Sequence, residues 1–275
     1  MAKSSVVADS MKINRVKSGT NATFNVLFAL LAAMAILPVI FVFIISISSE
    51  ESIRLVGYSF APRGFSASAY AFLWNERATI FQALFISVSV TCLGTLLGLA
   101  LTTTMGYVLS RPVFKMKSFY TWVVFIPMIF NGGMVASYVV NANVLGLKNT
   151  IWALILPLAV SSFNIIICKT FFRSTIPDSI IESAKMDGAS QLRIFGQIVL
   201  PISKPVLATI GLFLVFGYWN DWFQSSLYIS DSKLVSLQAL LNNMMKSLDY
   251  IANNPTAGVS LQQYRNQMPS ESVRM

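Results

Sequence analysis

Histidine is absent from the 275 residues, cysteine occurs only twice, and 11% of positions carry a formal charge. Each shortage removes a class of chemistry. Without imidazole there is no Ser-His-Asp triad, and the commonest metal ligand is missing. Cys92 and Cys168 both lie inside apolar runs, which argues against a disulfide framework. No G-x-x-x-x-G-K-[ST] run is present to cradle nucleotide phosphates. No intramembrane carboxylate pair or metal-ligand spacing supports an integral membrane enzyme. A soluble domain carries charge at about a quarter of its residues, whereas here hydrophobic residues make up 55% and the mean hydropathy is +0.65. A soluble globular domain is excluded.

What is present is a set of charge-free windows, among them Phe24 to Ile47, Phe81 to Val108 and Leu207 to Tyr218. About 20 apolar residues cross a bilayer as a helix, and the windows give five spans, near 24–48, 80–109, 119–139, 151–172 and 205–227. The first run is too long for a signal-peptide core and no small-residue cleavage site closes it, so it stays as an anchor. The net charge of +9 is unevenly placed. One set of connections, including the N-terminus and the 110–118 and 173–204 loops, holds twelve Lys and Arg against four acids; the alternate set holds eight against seven. Positive-inside therefore puts the N-terminus and those two loops in the cytoplasm. The basic balance is a topogenic signal rather than a sign of nucleic-acid binding. The chain divides into a cytoplasmic segment 1–23, a transmembrane core 24–227 and an extracytoplasmic segment 228–275.

Within the spans, Gly94 and Gly98 at GxxxG spacing, followed by Thr102, let a neighbouring backbone approach, and packing within the chain is favoured over dimerisation. Pro127 and the Asn131, Gly132, Gly133 run interrupt the third span, as backbone does where it lines a cavity or meets protein. The fifth carries Tyr218, Trp219, Asn220, Asp221 and Trp222. An intramembrane carboxylate is costly unless it faces a cavity or partner, while Trp and Tyr also form interfacial belts; the cluster is either a substrate-pathway site or such a belt. Asn131 is grouped with it as a pathway candidate. Asn164 and Lys169 are weaker candidates, since Lys169 can snorkel. In the amide-rich 228–268 region, the stretch 237–248 is expected to form a short extracytoplasmic helix, and the region to contact a binding protein or cap the cavity, a disordered loop being the alternative.

The loop between the fourth and fifth spans reads as two short helices. Pro177 and Asp178 suit a helix start, Gly188 a left-handed stop, Ser190 a second cap, and Pro201 the second helix's end near Leu200. Ile180, Ile181 and Ala184 make a small apolar face with Glu182, Lys185 and Asp187 around it. A structural amphipathic loop and a helix that docks into a partner's groove both fit this pattern.

The run Glu182, Ser183, Ala184, Lys185, Met186, Asp187, Gly188, Ala189, followed by Leu200, Pro201 and Pro205, resembles the "EAA" loop of permease subunits in bacterial ABC importers. Ser183 stands where that pattern has a second alanine. With the basic N-terminus, the 145–150 stretch, the 219–222 cluster and the Pro269, Ser270, Glu271 run, the chain resembles the carbohydrate-uptake branch, nearest to permeases for alginate and other uronate oligosaccharides. The resemblance implies an all-α polytopic membrane protein of the type I importer permease fold, with Ile180, Ile181, Glu182, Ala184, Asp187, Gly188 and Ala189 docking the ATPase. It also implies a second permease subunit, two cytoplasmic ATPase subunits, an extracytoplasmic solute-binding protein and a multi-pass place in the inner membrane. ATP and Mg would be bound by the partners and no cofactor by this chain. The competing reading is a stand-alone secondary transporter or channel, against which stand the few intramembrane ionisable groups and the lack of an inverted pair of broken spans. The resemblance implies a sixth span, and the helix-start signal at 269–271 is expected to lead into it, through about 20 further apolar residues.

Overall fold

The computed structural model describes residues 18–61 and 64–253. The helix-start signal at 269–271, most of the basic N-terminus and the amide-rich stretch beyond 253 lie outside the described residues. The fold is all-α. Among the described residues the only β feature is an isolated antiparallel bridge between Ser48 and Phe65.

The described residues form two compact units, one containing those up to Asn75 together with 250–253, the other Glu76–Asp249. In the first, α1 (Ser18–Ser46) presents apolar side chains such as Met34 and Val39 to its surroundings, as a helix immersed in lipid does. It is followed by α2 (Glu50–Val56), which Ser49 caps by accepting from the Ser52 amide, and by α3 (Ser68–Asn75). Tyr70 on α3 shares a 2.8 Å hydrogen bond with Ser46 at the end of α1.

The second unit is built around α4 (Arg77–Ser110), a 34-residue helix about 50 Å long. Lipid tails are as apolar as leucine, so helices in a membrane associate through close packing and hydrogen bonds rather than water release. The small residues of α4 supply the close packing. A Cβ at Gly94 would fall within 2.6–2.7 Å of ring carbons of Tyr218, and one at Gly98 would lie 2.8 Å from the Ala159 carbonyl oxygen. The GxxxG pair thus serves packing within the chain, as expected. Tyr218 also donates from its hydroxyl to the Ile155 carbonyl at 2.7 Å.

The remaining spans are less regular than the sequence suggests. α1 and α4 are each long and apolar enough to cross a membrane. The third span is α5 (Lys117–Ile129), then α6 (Gly133–Tyr138) running into a π-helical turn, Val139–Val144. Its expected break is present, with Asn131 Oδ1 accepting from the Gly133 amide at 2.8 Å. The fourth span is also broken: α7 (Trp152–Ala159) and α8 (Ser162–Thr175) meet at 48°. Val160 and Ser161 are extended there, and the interruption leaves the Ala159 carbonyl at the helix end that Gly98 approaches.

After α9 (Asp178–Met186), the second loop helix runs as α10 (Gln191–Ile194), a π-helical turn Phe195–Val199, and α11 (Leu200–Ile202). Pro201 does not end it near Leu200. The wider π turn before it absorbs the proline's missing amide, and the break falls at Ser203, where the axis turns 83° into α12 (Lys204–Trp219). The fifth span also stops earlier than 227. α12 ends at Trp219, and a separate short helix, α13 (Phe223–Tyr228), follows. The expected 237–248 helix is α14 (Leu237–Asn253).

Candidate functional site

At the α9 end, local chemistry builds a rigid unit. Pro177 lies just before the first helical residue, Asp178. The helix closes on Gly188 at φ +77°, with the Ala189 amide returning to the Ala184 carbonyl at 2.9 Å; this six-residue return is the Schellman closure, which needs the left-handed backbone glycine adopts freely. Ser190 then caps α10, accepting from the Arg193 amide at 3.3 Å.

The structure corrects the direction of the α9 apolar face. Ile181 and Ala184 are buried in this chain's own core with Phe172, Ile176 and Ile194. They cannot be the surface offered to a partner. Glu182, Asp187 and Gly188 are exposed and Ala189 is half-buried. The apolar groups that do face outward are Ile180, Met186 at 89% exposure and Leu192 at 84%. Packing makes the division: Ile180 lies one turn from Ala184 on the helix yet stays outside the core that takes in Ile181 and Ala184.

Arg111, at the end of α4, is a further residue here. Its side chain is 12% exposed and its Nη1 lies 3.0 Å from the Asp178 carboxylate. Nη2 donates to the Phe172 carbonyl at 3.0 Å and Nε to Ser110 Oγ at 2.9 Å, and the guanidinium sits 5.4 Å from the Tyr107 ring centroid. Beside it is a cavity of about 380 Å³, lined by Tyr107, Val108, Phe114, Ile181, Leu192 and Phe195 among others.

The 218–222 cluster sits at the other end of α12. Tyr218 is buried between helices, 4% exposed. Asn220 is exposed, but its Nδ2 folds back onto the Phe216 carbonyl at 3.0 Å. The half-buried Asp221 carboxylate accepts from the Gln224 amide at 3.3 Å, satisfying a free donor in the first turn of α13. Trp219 is half-buried. Trp222 is 42% exposed, with Lys246 Nζ 5.2 Å from its ring centroid. Asn131 is exposed on the break of the third span. Asn164 is buried, and Lys169 reaches Thr121 at 3.5 Å.

This end is tied together by polar bonds between distant segments. Asn149, at φ +57°, accepts from the Ser230 and Asp231 amides and donates from its own amide to the Tyr228 carbonyl. Gln82 Nε2 donates to the Lys233 carbonyl at 3.0 Å, and Ser87 Oγ accepts from the Leu237 amide at 2.8 Å. The loop before α14 is thereby anchored to α4.

No protein-family model matches the chain. It is 38% identical over 231 residues to Protein LplC of Bacillus subtilis (strain 168), an alignment covering 84% of this chain and 77% of that protein. It is 39% identical over 222 residues, 81% of this chain and 76% of the other, to the polygalacturonan/rhamnogalacturonan transport system permease protein YtcP of the same organism. The fold superposes with a TM-score of 0.78 and 25% identity on a chain from the crystal structure of a bacterial ABC transporter involved in the import of the acidic polysaccharide alginate, covering 95% of this chain and 92% of that one.

Proposed function

This chain belongs to the permease subunits of bacterial carbohydrate ABC importers, which are multi-pass proteins of the inner membrane, and on that premise we propose that it forms half of the translocation pathway for an acidic oligosaccharide. A second, similar permease supplies the other half. Two cytoplasmic ATPase subunits bind ATP and Mg, and a solute-binding protein delivers the sugar from outside. The N-terminus and the 173–204 loop face the cytoplasm.

The observation that carries this reading is α9: a short helix closed by a left-handed glycine turn, fixed to its own core through Ile181 and Ala184, with Ile180 and Met186 turned outward. An anchored helix with exposed apolar side chains among charged ones suits insertion into a groove on another protein. Glu182, Asp187, Gly188 and Ala189 border or shape that face.

At the outer end, the exposed indole of Trp222 and the Lys246 ammonium beside it offer a stacking face and a cation to a sugar ring bearing a carboxylate. Trp219, Asn220 and Asn131 add further contacts along the pathway, while Tyr218 and Asp221 hold the frame. The relatives handling polygalacturonan/rhamnogalacturonan and alginate favour an acidic polymer fragment. The test is copurification of the ATPase with this chain, followed by a screen of galacturonate and alginate oligomers against neutral ones for binding-protein-dependent stimulation of ATP hydrolysis. Stimulation by acidic oligomers is expected; stimulation by neutral oligomers alone would refute the acidic assignment.

A further inference from the structure

Resting on α9 as the ATPase-docking helix, we propose that Arg111 is the positioning residue that couples α9 to α4, so that a displacement of the docked helix is carried to the outer face of the protein.

α9 is held on one side by apolar packing of Ile181 and Ala184. Toward α4 lies the cavity of about 380 Å³, lined by residues of both helices, and beside it the Arg111 side chain makes the polar bonds of this junction. One guanidinium joins three helix ends: its own α4 through Ser110, the last turn of α8 through the Phe172 carbonyl, and the first residue of α9 through Asp178. The planar fork makes these bonds in fixed directions, which a lysine ammonium cannot reproduce. Arg111 is also nearly buried, and a charge in that setting is costly to leave without partners. The three ends are therefore held in one arrangement.

The far end of α4 gives this junction its consequence. The helix is uninterrupted from Arg77 to Ser110, and at its other end Gln82 and Ser87 hold the loop that begins α14, the helix from which Lys246 reaches Trp222. A continuous rod thus connects the docking helix to the outer segment next to the exposed indole.

The experiment uses the assembled importer in proteoliposomes, with Arg111→Met, Arg111→Lys and Asp178→Asn compared with the unaltered chain. Asp178 is 56% exposed, so its amide variant removes the ion pair without disturbing the core. Three quantities are read: the ATPase retained on purification, the basal hydrolysis rate, and the oligosaccharide taken up per ATP, using the best oligomer from the stimulation screen. In parallel, spin labels at Ser179→Cys on α9 and Phe81→Cys on α4, with Cys92 and Cys168 replaced by alanine, report the distance between the two helices. It is read without nucleotide and after Mg-ATP–vanadate trapping.

Arg111→Met is expected to keep the ATPase and its basal rate but to lower uptake per ATP by about tenfold, the size of a typical coupling factor. Asp178→Asn and Arg111→Lys should fall in between. The label distance should be the same in both nucleotide states with Arg111 present and should shift by about 5 Å or broaden with methionine, the scale of a one-turn slip. An unchanged uptake-to-ATP ratio in both Arg111→Met and Asp178→Asn would overturn the proposal. So would a label distance that already changes between states in the unaltered arginine form. Loss of the ATPase from the variants alone would show that Arg111 serves docking instead. Failure of the unaltered chain to retain any ATPase would refute the docking reading, independently of Arg111.

Discussion

Tyr218 occupies the space that any side chain at Gly94 would need: ring carbons of the phenol stand 2.6–2.7 Å from the position of a Cβ there. The same phenol donates to the Ile155 carbonyl, so one residue locks α12 against both α4 and α7. Gly94→Ala is expected to overpack this contact at a cost of about 1–3 kcal/mol. Tyr218→Phe keeps the ring and loses one interhelical hydrogen bond, worth about 0.6 kcal/mol in a membrane protein. Thermal unfolding of the purified complex in detergent checks the ranking, with Gly94→Ala much the more harmful.

At Gly188 the backbone is left-handed with open space around the α-carbon, so the constraint is conformational rather than steric. Gly188→Val should strain the turn by roughly 1–2 kcal/mol and misalign α9, whereas Gly188→Asn, tolerated at such closures, should preserve function. Uptake and ATP hydrolysis measured together are expected to separate in the valine variant and stay linked in the asparagine one.

The two faces of α9 have opposite sensitivities. Met186→Glu or Ile180→Glu should leave the chain folded and reduce the ATPase recovered with it. Ile181→Ala should destabilise the chain itself by about 2–5 kcal/mol, the usual cost of a large-to-small change in a core. Affinity purification followed by a melting curve distinguishes the two.

The 218–222 cluster divides in the same manner. Trp222→Ala is expected to reduce substrate-stimulated hydrolysis while sparing the basal rate, because it removes a stacking face. Asp221→Ala removes a helix-start acceptor worth about 1 kcal/mol and should lower both rates together. Measuring both rates for each variant settles the roles.

The uninterrupted spans α1 and α4 were legible because their apolar runs are long and charge-free. The Gly188 stop and the Ser190 cap were legible because they depend on near neighbours. The break at Val160 and Ser161 was not, since no glycine marks it and the one nearby proline, Pro157, lies within α7. The inward face of α9 was also hidden, because Ile180 and Ile181 look alike in sequence and only packing against Phe172, Ile176 and Ile194 separates them. Arg111 reads as one more positive-inside charge, and its bond to Asp178, 67 positions away, exists only in the folded chain. Asp221 carries no local sign that the helix ends two residues before it.

The central claim is that this chain transports only as half of an ATP-driven assembly. Uptake of acidic oligosaccharide into proteoliposomes tests it most directly, with the second permease, the ATPase or the binding protein omitted in turn. The account predicts uptake only when all are present with Mg-ATP inside the cytoplasmic compartment. Uptake by this chain alone, driven by an ion gradient without ATP, would contradict it.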